Sequence, residues 1–315
     1  MATLKDLSKK PELLSGGHRA CAGCGAVIVA RQVMLASDKP LVVVSATGCL
    51  EVVTTIFPYS AWRVPFLHNA FENAAATLAG VTATYESLKK KGKISDDINF
   101  VAFGGDGGTY DIGLQSLSGA MERGHDLLYV CYNNEAYMNT GIQRSSATPM
   151  AANTTTEPAG KVKQGKGRFQ KDLTGIMAAH NIPYVGQSVI GMLNNDLLKK
   201  AEKAFSIKGP KFLNVLQPCR LGWAYKPEET CEIGRLAADT CVWPLYEVEN
   251  GVWKLSYKPR EKKPVTEFLF KQERFRHLKN PKNQPIIEEI QKEVDRRWAE
   301  LLKRCGEEKI AAYPA

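Results

Sequence analysis

No run of about eighteen apolar residues, the length a membrane-spanning helix requires, occurs anywhere in this sequence. The most apolar stretch, Leu41–Leu50, is interrupted by Ser45, Thr47, Gly48 and Cys49. The opening MATLKDLSKKPELL lacks the apolar core and the small-residue cleavage site of a secretory signal. Internal repeats and low-complexity tracts are absent as well. With 44% hydrophobic and 24% charged residues, neither disorder nor a collagen-like chain fits. These absences predict a soluble cytoplasmic protein with no membrane partner. A length of 315 residues allows one large domain or two ordinary ones.

The net charge of +9 is unevenly distributed: residues 251–315 hold 16 basic against 10 acidic side chains, so +6 of it lies in the last fifth of the chain. Nucleic-acid binding would rest on this asymmetry alone. The charges alternate with acids and with Trp253, Phe268, Phe270, Phe275 and Trp298, which suits a surface docked on partner subunits or on an acidic electron carrier better. The eight cysteines of a cytoplasmic chain are not a disulfide framework. Cys131 sits in the apolar run Leu127–Tyr132 as a small buried thiol, and Cys231, Cys241 and Cys305 stand alone.

From about residue 27 to 216 short β-branched runs alternate with helix-length segments. Leu41–Ser45, Ile98–Phe103, Leu127–Tyr132, Tyr184–Gln187 and Phe212–Leu216 read as strands. Ala26–Ala36, Glu72–Lys90, Asp111–Arg123, Lys171–His180 and Asn194–Phe205 read as helices. The fold class is therefore α/β, with a doubly wound, mostly parallel sheet covered on both faces. Gln143–Gln170, rich in polar residues and without period, is expected to be a long ordered loop. Residues 220–285 are rich in Pro and aromatics without sustained period, as in an extension wrapped over another surface. A last helix is marked by Ile286, Ile287, Ile290, Val294, Trp298, Leu301 and Leu302.

The segment VAFGGDGGTYDIGLQ (101–115) passes from a strand into a helix through a glycine cluster, which lets backbone approach a phosphate closely. It lacks the third glycine of a Rossmann fingerprint and the Lys-Ser/Thr of a P-loop. Its tip carries Asp106, a carboxylate that would repel phosphate unless a divalent cation lay between them; Mg²⁺ binds through one or two protein oxygens plus phosphates. Twenty-eight residues after Asp106, at the next strand end, comes NNEAYMNTG (133–141). Gly-Asp-Gly followed at this distance by an Asn pair is the thiamine diphosphate motif, one helix and one strand apart on the carboxyl edge of the sheet. Asp106, the Asn134 side chain and the Ala136 carbonyl could complete the Mg²⁺ shell. HRACAGCG (18–25) adds a thiol pair, and Cys49 and Cys219 each follow a strand. Four thiolates on one edge suit a [4Fe–4S] cluster or a structural zinc, whereas a thioredoxin-type pair would leave Cys49 and Cys219 idle.

With HRACAGCGA, ATGCLEVVTTIFPYSAW, HNAFENAAA, FGGDGGTYDIGLQSLSGAMERGH, NNEAYMNTGIQRS and CVWPLYEVENGV in view, the sequence resembles the β subunits of the 2-oxoacid:ferredoxin oxidoreductases, the multi-subunit pyruvate enzymes above all. The resemblance spans nearly the whole chain. It implies a thiamine diphosphate-binding fold of the diphosphate type, residues 1–225, that also holds the cluster, followed by a C-terminal extension, residues 226–315, for subunit docking. It implies that Cys21, Cys24, Cys49 and Cys219 ligate a [4Fe–4S] cluster, and that Mg²⁺ lies on Asp106, Asn134 and Ala136. Gly105, Asp106, Gly107 and Gly108 would line the diphosphate with Asn134, Glu135, Ala136, Tyr137, Met138 and Asn139. Ala26, Cys49 and Phe71 would touch the cofactor, and Asn139, the catalytic candidate, would face the substrate.

The implied reaction is reversible oxidative decarboxylation of pyruvate with coenzyme A and transfer of electrons to ferredoxin. Another 2-oxoacid (oxalate, 2-oxoisovalerate, 2-oxoglutarate or an aryl glyoxylate), a non-redox thiamine decarboxylase with a zinc site, and a zinc-stapled scaffold are the alternatives. No Cys-x₂-Cys-x₂-Cys-x₃-Cys run is present, so the ferredoxin-like pair of clusters would lie on another subunit. The activating glutamate would come from the pyrimidine-binding domain of an α subunit, with or without a further γ subunit. Neither Glu51 nor Glu72 is assigned that role, and His18 and His68 read as structural.

Overall fold

The computed structural model describes residues 4–192 and 194–307. Its centre is an eight-stranded sheet in the order β2-β1-β3-β4-β6-β5-β7-β8. The strands are β1 (Leu41–Ala46), β2 (Phe66–Asn69), β3 (Asn99–Gly105), β4 (Leu128–Asn133), β5 (Tyr184–Val189), β6 (Lys211–Leu216), β7 (Tyr246–Glu249) and β8 (Val252–Leu255). From β2 to β5 every pairing is parallel, and β7 and β8 then add in antiparallel sense. Central strands such as LYVCYN and KFLNVL are buried at every position, because helices cover both faces.

The helices are α1 (Leu4–Leu7), α2 (Gly25–Leu35), α3 (Cys49–Thr54), α4 (Ala74–Lys90), α5 (Leu114–Glu122), α6 (Leu173–Ala178), α7 (Asp196–Ser206), α8 (Thr230–Asp239), α9 (Val265–Leu269) and α10 (Gln284–Arg304). Alternate side chains of each strand enter opposite cores: Val43, Val101 and Phe103 pack with α2 and α7, while Val44 and Ala102 pack with α4 and α5. The five expected strands and five expected helices are all present, displaced by a few residues at their ends. The exception is the helix expected from Asp111, which opens earlier as a π-helical turn over Gly107–Ile112 before α5.

Not foreseen were the short elements α1, β2, α3 and α9, the β7–β8 hairpin, and the ten-residue α8, which lies in the stretch 220–285 read as having no sustained period. The hairpin did leave a signal. Asn250 and Gly251 both have positive φ (48° and 81°), as the two-residue turn between twisted antiparallel strands requires. The extension wraps its own chain: Trp223, Phe268 and Phe275 are fully buried in one core with Tyr110 and Leu117, and α10 covers that core with Ile287, Ile290, Val294 and Trp298. The 143–170 segment is an ordered loop, pinned by buried Lys166, whose Nζ donates to the carbonyls of Ser145, Ser146 and Thr148. Among the described residues no helix is long and apolar enough to cross a membrane.

Phe268 packs edge-on against Trp223 with ring centroids 6.0 Å apart. Phe268→Ala should lower stability by about 3–5 kcal/mol, the usual consequence of a large cavity in a packed core. Denaturant titration read by tryptophan fluorescence measures it, and a change below about 1 kcal/mol would mean that the extension is not part of the core.

Candidate cofactor cavity and thiol cluster

At the carboxyl ends of β1, β3 and β4 lies a cavity of about 270 Å³, lined by Cys49, Phe71, Gly105, Asp106, Gly107, Asn134, Ala136, Tyr137, Met138 and Asn139, with Thr47, Gly48, Tyr132 and Thr140. Parallel strands end together at this edge, so three loops distant in sequence close on one space. Glycine is needed where they meet: a Cβ on Gly107 would come within 2.6 Å of the Tyr137 ring, and one on Gly108 within 2.8 Å of the Phe71 carbonyl oxygen.

Asp106, 1% exposed, is the electrostatic centre of the cavity. Its Oδ1 accepts the Asn134 N–H at 3.2 Å and its Oδ2 accepts the Ser145 hydroxyl at 2.6 Å. Burial pushes the carboxyl up to about 7, although both hydrogen bonds favour the ionised form. What this acid lacks is a cation. Asn134 Oδ1 lies 2.9 Å from Asp106 Oδ1 and 2.8 Å from the Ala136 carbonyl oxygen, and turning the amide over would place its NH₂ there as a donor to both. In either orientation the Asn134 amide bridges the Asp106 carboxylate and the Ala136 carbonyl oxygen, and with its oxygen turned inward the three present the kind of oxygen donors a hard divalent cation such as Mg²⁺ takes.

The four thiols gather beside this cavity. Cys21 and Cys24 occupy a turn before α2, closed by a 3.0 Å bond from the Cys24 N–H to the Cys21 carbonyl. Cys49 opens α3 with Sγ 3.8 Å from Asn139 Oδ1, and Cys219 lies in the loop after β6. All four are free. Backbone N–H groups of Ala26 and Val27 are directed at the Cys24 sulfur and those of Leu221 and Gly222 at the Cys219 sulfur, while burial raises both thiols. Burial, then the neighbouring Cys219, Cys24 and Cys21, push Cys49 up to about 12. The thiols thus feel one another electrostatically. Among the described residues, however, no three His, Cys, Asp or Glu side chains form a group tight enough for a single metal ion.

Residues 46–215 match the family of thiamine pyrophosphate enzymes in its C-terminal TPP binding domain. The pyruvate synthase subunit PorB of Methanocaldococcus jannaschii is 57% identical over 288 residues, 91% of this chain and 95% of that protein. PorB of Thermotoga maritima is 51% identical over 305 residues, 95% and 94% of the two chains. The chain belongs to the PorB family of 2-oxoacid:ferredoxin oxidoreductase subunits. A further relative, the ketoisovalerate oxidoreductase subunit VorB of Pyrococcus abyssi, is 43% identical over 293 residues, 92% of each chain. The solved 2-oxoglutarate:ferredoxin oxidoreductase from Magnetococcus marinus shares the fold at 18% identity, with a TM-score of 0.54 over 71% of this chain and 79% of that one.

Within this PorB-type chain most of the expected cofactor-binding residues share the cavity wall, and Gly108, Ala26 and Glu135 do not; of the four expected thiols only Cys49 is on it. Gly108 packs beneath Phe71. Ala26 is buried at the start of α2, with its N–H toward Cys24. Glu135, expected to line the diphosphate, turns its carboxylate away to Arg274, because its backbone takes a left-handed turn (φ 66°). His68 bonds Thr47 Oγ1 through Nε2 at 2.8 Å, whereas buried His18 Nδ1 has no partner. Thr47, Tyr132, Thr140 and Ser145 belong to the site without having been foreseen. Ser145 closes the NNEAYMNTGIQRS segment, yet was assigned no role there.

Asp106→Ala should abolish retention of thiamine diphosphate through gel filtration while leaving any visible absorption of the thiol-bound centre intact, because no thiol is altered. Retention at wild-type stoichiometry would remove Asp106 from the site.

Proposed function

We propose that this chain is the thiamine diphosphate-, Mg²⁺- and [4Fe–4S]-binding subunit of a cytoplasmic pyruvate:ferredoxin oxidoreductase, converting pyruvate, coenzyme A and oxidised ferredoxin to acetyl-CoA, CO₂ and reduced ferredoxin. One observation carries the reading: Cys49 and Asp106 stand on the walls of the same cavity, so a thiol-bound centre and a diphosphate site adjoin. When bound, thiamine diphosphate supplies a carbon nucleophile for the 2-oxo carbonyl and the cluster supplies a one-electron acceptor. Asp106, Asn134 and the Ala136 carbonyl would hold Mg²⁺, and Cys21, Cys24, Cys49 and Cys219 the cluster. That Cys219, Cys24 and Cys21 all act on Cys49 supports a centre shared by the four thiols, and its place beside a thiamine site favours a redox cluster over zinc. Asn139, beside Cys49 and on the cavity wall, would orient the substrate.

This chemistry falls within the expected 1–225 region, and the outward face of residues 226–307 is the proposed docking surface for partners; residues 308–315 of the expected extension lie outside the described residues. Those partners are an α subunit with the pyrimidine-binding domain and its activating glutamate, and a subunit with two ferredoxin-like clusters. The 43% identity to a ketoisovalerate oxidoreductase subunit supports a second reading, in which a branched 2-oxoacid is the substrate. Rates of the purified complex with pyruvate, 2-oxoisovalerate and 2-oxoglutarate decide between them: pyruvate should be fastest, and a faster branched substrate would reverse the assignment.

Iron and acid-labile sulfide in the purified subunit should reach four of each per chain, and Cys219→Ser should lose most of both; zinc in place of iron, or a full cluster in the variant, would overturn the ligand set. Expressed alone, the chain should turn over no 2-oxoacid, because it would lack the acid–base help worth roughly 10²–10⁴ in rate. Ferredoxin or viologen reduction by the lone chain at the rate of the complex would refute the split site.

A further inference from the structure

The C-terminal extension reaches the metal loop through one buried side chain. Arg274, 5% exposed, directs Nη2 to the Glu135 carboxylate and donates from Nε to Gln272 Oε1 at 2.8 Å. Its guanidinium carbon lies 3.8 Å from the centre of the Trp223 ring, and that indole donates from Nε1 to the Asn134 carbonyl at 2.8 Å. The loop is thus gripped at two successive residues from one side. From the other, Thr148 Oγ1 donates to the Glu135 carbonyl at 2.6 Å, and Asn133 Oδ1 accepts the Glu135 N–H at 2.9 Å.

The grip has something to hold. Glu135 is a non-glycine residue at φ 66°, a conformation that L side chains adopt at a cost. With Glu135 turned in this way, the Asn134 side-chain oxygen before it lies 2.9 Å from Asp106 Oδ1 and 2.8 Å from the Ala136 carbonyl oxygen after it. A relaxed Glu135 would swing one of those oxygens off the common point. The ion pair therefore does more than neutralise two buried charges.

We infer that Arg274, acting through Glu135 and Trp223, is a positioning residue that holds the Asn134–Ala136 loop in its metal-binding conformation. This rests on the assignment of Mg²⁺ to Asp106, Asn134 and Ala136. The extension is then part of the cofactor site, although it contributes nothing to the cavity wall.

The test uses the purified complex, stripped with a chelator and titrated with Mg²⁺ at fixed thiamine diphosphate, with bound thiamine read by equilibrium dialysis. Visible absorption and the thermal midpoint monitor the rest of the fold. Arg274→Met should weaken Mg²⁺-supported binding roughly 10- to 100-fold, as loss of a residue orienting metal ligands does, with Arg274→Lys recovering part of it. In Glu135→Gln/Arg274→Met no charge is left buried and unpaired, so the midpoint should return towards wild type while affinity stays low. If Arg274→Met does not assemble, the double variant decides by itself. Affinity within about twofold of wild type in Arg274→Met, or recovered together with the midpoint in the double variant, would overturn the inference. Asp106→Ala separates the two claims. Normal binding there would overturn the metal assignment and this inference with it, whereas loss there but not in Arg274→Met would overturn the inference alone.

Discussion

A carboxylate buried at the end of a central strand is the constraint around which this chain is organised. Asp106 is held away from water, and neither the Ser145 hydroxyl nor the Asn134 N–H offsets its desolvation fully, so its acidity is weakened. The Asn134 amide lies between this carboxylate and the Ala136 carbonyl oxygen. Glycines on either side let Tyr137 and Phe71 pack close, and those two rings, with centroids 5.7 Å apart, close one side of the space.

The thiols obey a related logic. Cys21, Cys24, Cys49 and Cys219 come from loops separated by up to about two hundred residues, yet parallel strand topology returns β1 and β6 to the same edge. The Cys21–Gly25 turn is clamped by the extension, with Thr230 Oγ1 donating to the Gly23 carbonyl at 2.9 Å. Desolvation that raises a thiol disfavours the free thiolate, and backbone N–H groups directed at the sulfurs favour it. That balance suits sulfurs that are anionic only when bound.

Both groups of residues depend on chain that follows the parallel core. Arg274 and Trp223 brace the Asn134–Ala136 loop, Thr230 braces the thiol turn, and α10 seals the aromatic layer beneath them. Residues 226–307 thus share the apolar core of the preceding region and supply the outer support of its site.

The sequence by itself determined the alternation of strands and helices, because β-branched runs buried on both faces and long amphipathic segments leave strong periodic signals. It also singled out Asp106, the Asn pair and the four cysteines, of which Cys49, Asp106 and Asn134 line one cavity. Short elements such as β2 and α3 left no period to read, although Asn250-Gly251 marked a hairpin that only the structure made plain. Tertiary structure alone decided that Glu135 faces Arg274 rather than the cavity, that Ser145 caps the buried acid, and that the extension braces the site. Those contacts join residues 39 to 207 positions apart, and their energy comes from burial and hydrogen-bond geometry, which no local pattern encodes.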